Sequence, residues 1–324
     1  MPLAAIARAN LLHPKDFVRL YRDHLSDFKT WKEKEHAGKW LIFPENIGKH
    51  LSIDEVEVTG GELYTILTNK ERHGQKGCLV AIVEGTQVET VSKAICKIPG
   101  NQRKNVKTIT RDMAQCMEQI ITACFPNAIQ IDDRFHVQQL VSDALQETRV
   151  ELRKEAIKEH NRKVAEARKR NGHYWAPRFE NGDTAKELLA RARYLLYKPS
   201  GRWKKSQKAR AKILFREYPK LEEAYHLTMH FRGIYEHAKN RKDGLLRLQR
   251  WYKSVVKRLE VFPSFETPMQ TIQLNEQTIV NYFISRETNA SAESFNAKVK
   301  NFRALQRGVS DVTFFLYRLA KLYG

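Results

Sequence analysis

The chain has 324 residues, with 57 Lys and Arg against 37 Asp and Glu, a formal net charge of +20. That length suits one large domain or two smaller ones, and the charge points to a polyanionic partner, above all nucleic acid, although a ribosome-associated or membrane-surface protein would share it. No apolar run of about 18 residues occurs, which excludes a transmembrane helix, and the opening residues, Met1 to Arg8, lack the pattern of a secretory signal, so the expected place is the cytoplasm.

In chain order, Phe17, Leu20, Tyr21, Leu25, Phe28 and Trp31 recur at helical spacing and predict an amphipathic helix over 14–36, with Pro14 in its first turn. From about 48 to 84 the pattern is that of strands. Leu51 to Asp54 alternates, Gly60-Gly61 marks a hairpin, Glu62 to Thr68 is β-rich, and Cys78 to Val83 is an apolar central-strand run. Three antiparallel strands follow from this. A short helix over 87–95, a strand over 106–110, a helix over 113–124 that stops before Pro126, and a strand over 128–131 come next. This alternation implies parallel pairing on one side of a mixed sheet.

Beyond residue 134 no strand is predicted until about 285. A long helix covers 135–170 with a charged tract from Arg149 to Arg170, and further helices cover 207–216, 219–238 and 242–259. Pro263 and Pro268 are expected to break the chain before a helix at 275–285. The four cysteines, Cys78, Cys96, Cys116 and Cys124, have neither Cys-x-x-Cys nor zinc-ligand spacing and are expected as reduced thiols, mostly in the core.

The segment from Asn289 to Arg303 carries the densest chemistry. On a helix, Glu293, Asn296, Lys300 and Arg303 share one stripe, while Phe295, Val299 and Phe302 form a separate apolar one. Alone, this is either an ordinary charged surface helix or half of a site. Asp54 lies in the first strand and Asp112 just past a later, parallel one, where open sheets place their ligands. If Leu51 and Ile53 face one side of the sheet, Asp54 faces the other. With Glu293 packed nearby, three carboxylates make a hard oxygen site suited to Mg²⁺ or Mn²⁺. Two such ions about 4 Å apart serve phosphoryl transfer.

The segments Ile53-Asp54-Glu55, Thr110-Arg111-Asp112-Met113, Asp133-Arg134-Phe135-His136 and Asn289, Glu293, Asn296, Lys300 occur in that order. Together they resemble the DDE transposases of bacterial insertion sequences, in the ISL3 branch, over roughly residues 40 to 324. The resemblance implies a ribonuclease H-like α/β fold whose mixed sheet is interrupted by a large all-α insertion before the last catalytic helix. The domains would be an N-terminal helical segment at 1–47, core at 48–136, insertion at 137–274 and core helices at 275–324. It also implies a catalytic, metal-binding triad of Asp54, Asp112 and Glu293, holding two Mg²⁺ or Mn²⁺ ions that serve cleavage and strand transfer of double-stranded DNA. Members of this branch usually carry N-terminal zinc and helix-turn-helix modules, not evident here, so a separate DNA-binding polypeptide is an expected partner, alongside a homo-oligomer in the synaptic complex. Alternatives are a structure-selective nuclease of the same fold and a non-catalytic, DNA-binding remnant.

Other residues keep two readings. Asp133 either caps the long helix or stands beside the site, and His136 is either packed or near the DNA. Asp132 and Glu55 compete with Asp133 and Asp54 for a metal role. Asn289, Asn296, Lys300 and Arg303 are candidate DNA contacts. Arg202, Trp203, Lys204 and Lys205 either follow phosphates with a stacking tryptophan or form a solvated loop whose tryptophan caps the insertion's core. The Arg149–Arg170 tract, with Glu and Lys at i, i+4, reads as a salt-bridged exposed helix. Phe314, Phe315, Leu316, Leu319 and Leu322 are expected on the core face of a terminal helix.

Overall fold

The computed structural model describes residues 3–286, 289–306 and 308–324, which divide into two compact units, Met1–Asp133 with Ser285–Gly324, and Arg134–Ile284. The first unit opens with α1 (Leu3–Ala9) and α2 (Pro14–Leu20), continued by a π-helical turn (Tyr21–Leu25) and a 3₁₀ turn (Asp27–Thr30). The single helix predicted over 14–36 is therefore replaced by three short pieces. Ser26 is extended and its hydroxyl accepts from Phe28 N, which ends one helix and starts the next turn. The helical spacing still served a purpose. Phe17, Tyr21, Phe28 and Trp31 all pack in one cluster with Phe314 and Tyr317.

Six strands form one sheet in the order β1-β4-β3-β2-β5-β6: β1 (Trp40–Ile42), β2 (His50–Thr59), β3 (Glu62–Asn69), β4 (Leu79–Glu84), β5 (Thr108–Arg111) and β6 (Ile129–Asp132). β2, β3 and β4 are successive antiparallel neighbours, whereas β5 pairs parallel to β2, and β6 parallel to β5. Two antiparallel hairpin steps followed by two parallel crossovers on the other side of the first strand make the ribonuclease H-like topology. Gly60 and Gly61 both have positive φ, 48° and 95°, which is the conformation the two-residue hairpin turn requires. β1, at the edge beside β4, is three residues long, too short to show a periodic pattern.

Between the strands lie α3 (Val88–Ile95), α4 (Gly100–Lys104) and α5 (Gln115–Cys124). Helix α5 starts two residues later than predicted because the Asp112 carboxylate accepts from Ala114 N and turns the chain first. Leu51 and Ile53 of β2 pack with Val91 and Ile95 of α3 and with Met117, Ile120 and Ile121 of α5.

Among its described residues the second unit has helices and no strand: α6 (Arg134–Lys169), α7 (Ala185–Arg191), α8 (Arg193–Leu196), α9 (Lys205–Glu217), α10 (Pro219–His237), α11 (Arg241–Val256), α12 (Glu266–Leu274), α13 (Glu276–Val280) and α14 (Tyr282–Ser285), whose last residue belongs to the first unit. Its core is aromatic, with Phe231 against Trp251 and Tyr235 against Phe283. A Cβ at Gly244 would stand 2.4 Å from the Phe283 ring, so only glycine lets α11 approach there. Pro268, expected to break the chain, lies in the first turn of α12, where no intrahelical N–H is needed. The long helix is salt-bridged along its exposed length by Arg162 with Glu159 and Glu166. Near its middle Arg149 is instead buried, bonding Gln146 and the carbonyl of Leu189.

The chain then returns to the sheet with α15 (Ala290–Leu305) and α16 (Val312–Tyr323). Phe295 and Val299 of α15, and Phe315, Leu316 and Leu319 of α16, cover Val56, Val58, Ile66 and Ile82 on the face opposite α3 and α5. The sheet is thus enclosed by helices on both faces. Leu322, expected in this core, is 48% exposed. Cys78 and Cys124 are buried, Cys116 is half-buried and Cys96 is exposed, and all four are free thiols.

Candidate active site

Strand alternation decides which side chains of β2 meet α15. Leu51 and Ile53 point to α3 and α5, so Ser52 and Asp54 point to the other face. There the Ser52 hydroxyl donates to the Asn289 side-chain oxygen, and the Asn296 amide donates to Asp54 Oδ2 at 2.6 Å. Three residues further along β2, where its pairing with β3 shifts register and simple alternation ends, Arg303 forms an ion pair with Glu57 at 2.9 Å. Asn289, Asn296 and Arg303 recur every seven residues, so one stripe of α15 follows β2 in three polar rungs. Glu293 lies on that stripe between the first two rungs, exposed, in the first turn of the helix.

Register brings the second aspartate to the same place. Ser52 on β2 is level with Thr110 on β5 in the parallel pairing. Asp112 is the first residue after β5, two past Thr110 as Asp54 is two past Ser52, and the charges of both carboxylates act on Glu55. The carbonyl of Asp112 accepts from the buried Arg111 guanidinium at 2.9 Å, which holds the turn after β5. Below the carboxylate row sits a buried polar row. Ser52 also donates to the Thr110 carbonyl, and Lys70, only 8% exposed, donates to the Thr110 hydroxyl at 2.8 Å.

The acids of this region act on one another. The Glu55 carboxyl is pushed above the ordinary carboxylate range, first by burial, then by the charge of Asp112 and then by that of Asp54. The Cys116 thiol is raised likewise, by burial first and then by Glu55. As the side chains lie, no group of three or more His, Cys, Asp or Glu among the described residues stands in a metal-holding arrangement. The donors nonetheless fit in kind: carboxylate oxygens on adjacent strands, under a negative potential strong enough to perturb a neighbouring acid, suit a hard divalent ion.

The remaining sequence candidates separate. Asp132 forms a fully buried ion pair with Arg111 at 3.3 Å, which gives it a structural partner. Asp133 is 2% exposed, and its N–H donates to the Arg111 carbonyl, extending β6. His136 is half-buried in the first turn of α6, edge-on to Phe135. On α15, Asn289, Asn296 and Arg303 bond to β2, while Lys300 is exposed to solvent. In the helical unit Arg202, Lys204 and Lys205 are exposed. Trp203 takes its core-capping reading: its indole N–H donates to the Leu195 carbonyl at 3.0 Å, and its ring packs 5.4 Å from Tyr225.

Two contributors escape a reading by motif. Ser52 was accessible through strand alternation, since it precedes Asp54 by one period on the same face. Lys70 had no sequence signal, because only the sheet's lateral pairing brings it to β5.

A family model described as Transposase, that of the ISL3 group of DDE transposases, matches residues 51–319. No curated protein matches the chain in sequence. Among solved structures, the Drosophila P element transposase strand transfer complex is similar at a TM-score of 0.38 and 14% identity, over 98% of this chain and 90% of that one. Among the described residues no helix is long and apolar enough to cross a membrane.

Proposed function

The chain belongs to the ISL3 family of DDE transposases, and from that premise we propose that it cuts DNA at the ends of an insertion sequence and joins them to a target, with Asp54, Asp112 and Glu293 as its catalytic carboxylates. The observation that supports this reading is a cluster of acids at one end of the sheet: Asp54 on β2 and Asp112 just after β5 both act by their charge on Glu55, and Asn296, one turn from Glu293, is bonded to Asp54. Members of the family generally use divalent ions. Here Asp54, Asp112 and Glu293 would hold Mg²⁺ or Mn²⁺, which when bound supplies Lewis acidity at the attacking and leaving oxygens.

The reaction is two displacements at phosphorus. Water attacks the phosphodiester at the element's end, the bond from phosphorus to the 3′ oxygen breaks, and a 3′-hydroxyl and a 5′-phosphate result. That 3′-hydroxyl then attacks a target phosphodiester, forming a new bond and releasing the target's own 3′-hydroxyl. The chain's residues contribute position and charge. Asn296 holds Asp54 in one rotamer, Arg111 holds the turn bearing Asp112, and Lys300 faces solvent on the stripe where a phosphate would pass. Double-stranded DNA is the substrate. A second copy of the chain would pair the two ends, and a separate polypeptide would supply end recognition.

The test is cleavage of element-end duplex by the purified protein, with its partner chain if one is needed, in Mg²⁺ or Mn²⁺. Nicking is expected, and Asp112→Asn or Glu293→Gln should lower it by about three orders of magnitude or more while DNA binding persists. Undiminished cutting by either variant removes that residue from the mechanism. Preferential cutting of branched DNA over element ends would replace the transposase reading with a structure-selective nuclease.

A further inference from the structure

The helical unit carries a second basic, aromatic element, where the tract expected as a salt-bridged exposed helix comes to its end. Helix α6 ends in Arg168 and Lys169, and Arg170 follows; all three are exposed, and none forms an ion pair among the described residues. The turn that follows is well defined: Asn171 is left-handed at φ 52°, and Gly172 N donates to the Ala167 carbonyl at 2.9 Å. Tyr174 then folds back on the helix, its ring 5.5 Å from His160 and beneath Lys163. Trp175, the next residue, is left 84% exposed.

Tryptophan is highly buried on average, and a ring standing in water beside unpaired cations marks a contact surface more than a packing remnant. The acids that flank the loop in sequence are engaged elsewhere, Glu166 and Glu159 with Arg162, and Glu180 with Arg216. The loop therefore presents a net positive, sequence-unspecific grip with one flat aromatic face. Phosphates with an accessible base are the ligand of that chemistry.

We propose that the loop from Arg168 to Trp175 is a DNA-contact element, in which Arg168, Lys169 and Arg170 hold backbone phosphates and Trp175 stacks on an unstacked base. The inference rests on the reading of the chain as a DNA-acting enzyme. It moves the stacking role from Trp203, whose ring is packed, to Trp175.

The test measures binding of the full chain to labelled duplexes, fully paired or carrying one unpaired base, without divalent metal so that cutting is not involved. Trp175→Ala should weaken binding to the unpaired-base duplex about tenfold or more, with a smaller loss on the paired one, and Trp175→Phe should restore most of it. The triple variant Arg168→Gln, Lys169→Gln, Arg170→Gln should flatten the plot of log affinity against log salt by about 2–3 units, near 0.9 per lost phosphate contact. The proposal falls if Trp175→Ala binds both duplexes like the wild type and the triple variant keeps the salt slope. It falls equally if the substitutions alter only self-association. Wild-type protein that binds no DNA would overturn the enzymatic reading as well, whereas unchanged binding by the variants overturns this inference alone.

Discussion

Arg111 is fully buried, and its guanidinium reaches Asp132 on β6, Glu118 on α5 and the carbonyls of Asp112 and Ala114. A buried guanidinium is stable only when its donors are met, so this residue joins two strands, a helix and the turn that bears a candidate catalytic acid. Arg111→Met should leave Asp132 buried without its counter-charge and cost about 3–5 kcal/mol in urea unfolding. A second substitution, Asp132→Leu, should recover much of that loss. Asn296 plays the corresponding part for Asp54. Asn296→Ala should reduce cleavage about 10–100-fold, as loss of a carboxylate's orienting partner does, while stability falls by only about 1 kcal/mol. A loss of stability large enough to account for the lost activity would argue against an orienting role.

At the scale of the element, α15 works because two stripes of one helix do different jobs. The polar stripe through Asn289, Asn296 and Arg303 aligns it along β2, and Phe295 and Val299 anchor it in the core. Phe295→Ala should cost about 3–5 kcal/mol by opening a cavity, and activity should fall with it because Glu293 loses its platform. The N-terminal pieces are fastened by a different device. The Asp27 carboxylate accepts from Lys321 at 2.6 Å and from the Tyr317 hydroxyl, both on α16. Lys321 first and Tyr317 second hold its pKa below the ordinary carboxylate value. A depressed carboxylate pKa means that the stabilisation is present above the unfolded value near 3.8 and is lost as pH falls through the folded one. Asp27→Asn should therefore lower the melting temperature at neutral pH, and its gap from the wild type should close on acidification below that value. A gap that persists in acid would assign the effect to something other than charge.

For the molecule as a whole, the +20 charge is expected to govern DNA affinity more than any single contact does. Binding should weaken steeply with added salt, by about 10³-fold or more between 50 and 200 mM if six or more phosphates are engaged. A nearly flat salt dependence would show that most of the basic surface stays off the DNA. The two units keep separate cores, one built on a sheet and one on packed aromatic helices. Along the chain, the helical unit lies between the two segments of the sheet unit.

Some of this was legible in the amino-acid sequence because the signals are local. The hairpin at Gly60-Gly61, the apolar run of β4, the alternation that turns Asp54 away from Leu51, and the paired stripes of Asn289 to Arg303 depend only on backbone sterics and side-chain period. They determined the succession of β2, β3 and β4, and with it two of the three carboxylates worth testing, Asp54 and Glu293. Other features depend on neighbours distant in sequence. The helical spacing from Phe17 to Trp31 required only that these side chains lie on one side, and three short turns against α16 satisfy it as well as one helix. Trp203 and Trp175 both stand beside basic residues. Only packing decided that Leu195 and Tyr225 would claim the first and leave the second in water. Asp132, Lys70 and Arg111 likewise acquired their partners through lateral strand pairing. A sequence determines period and turn; burial and pairing are decided where remote segments meet, because desolvation is a property of the assembled surroundings and not of the residue.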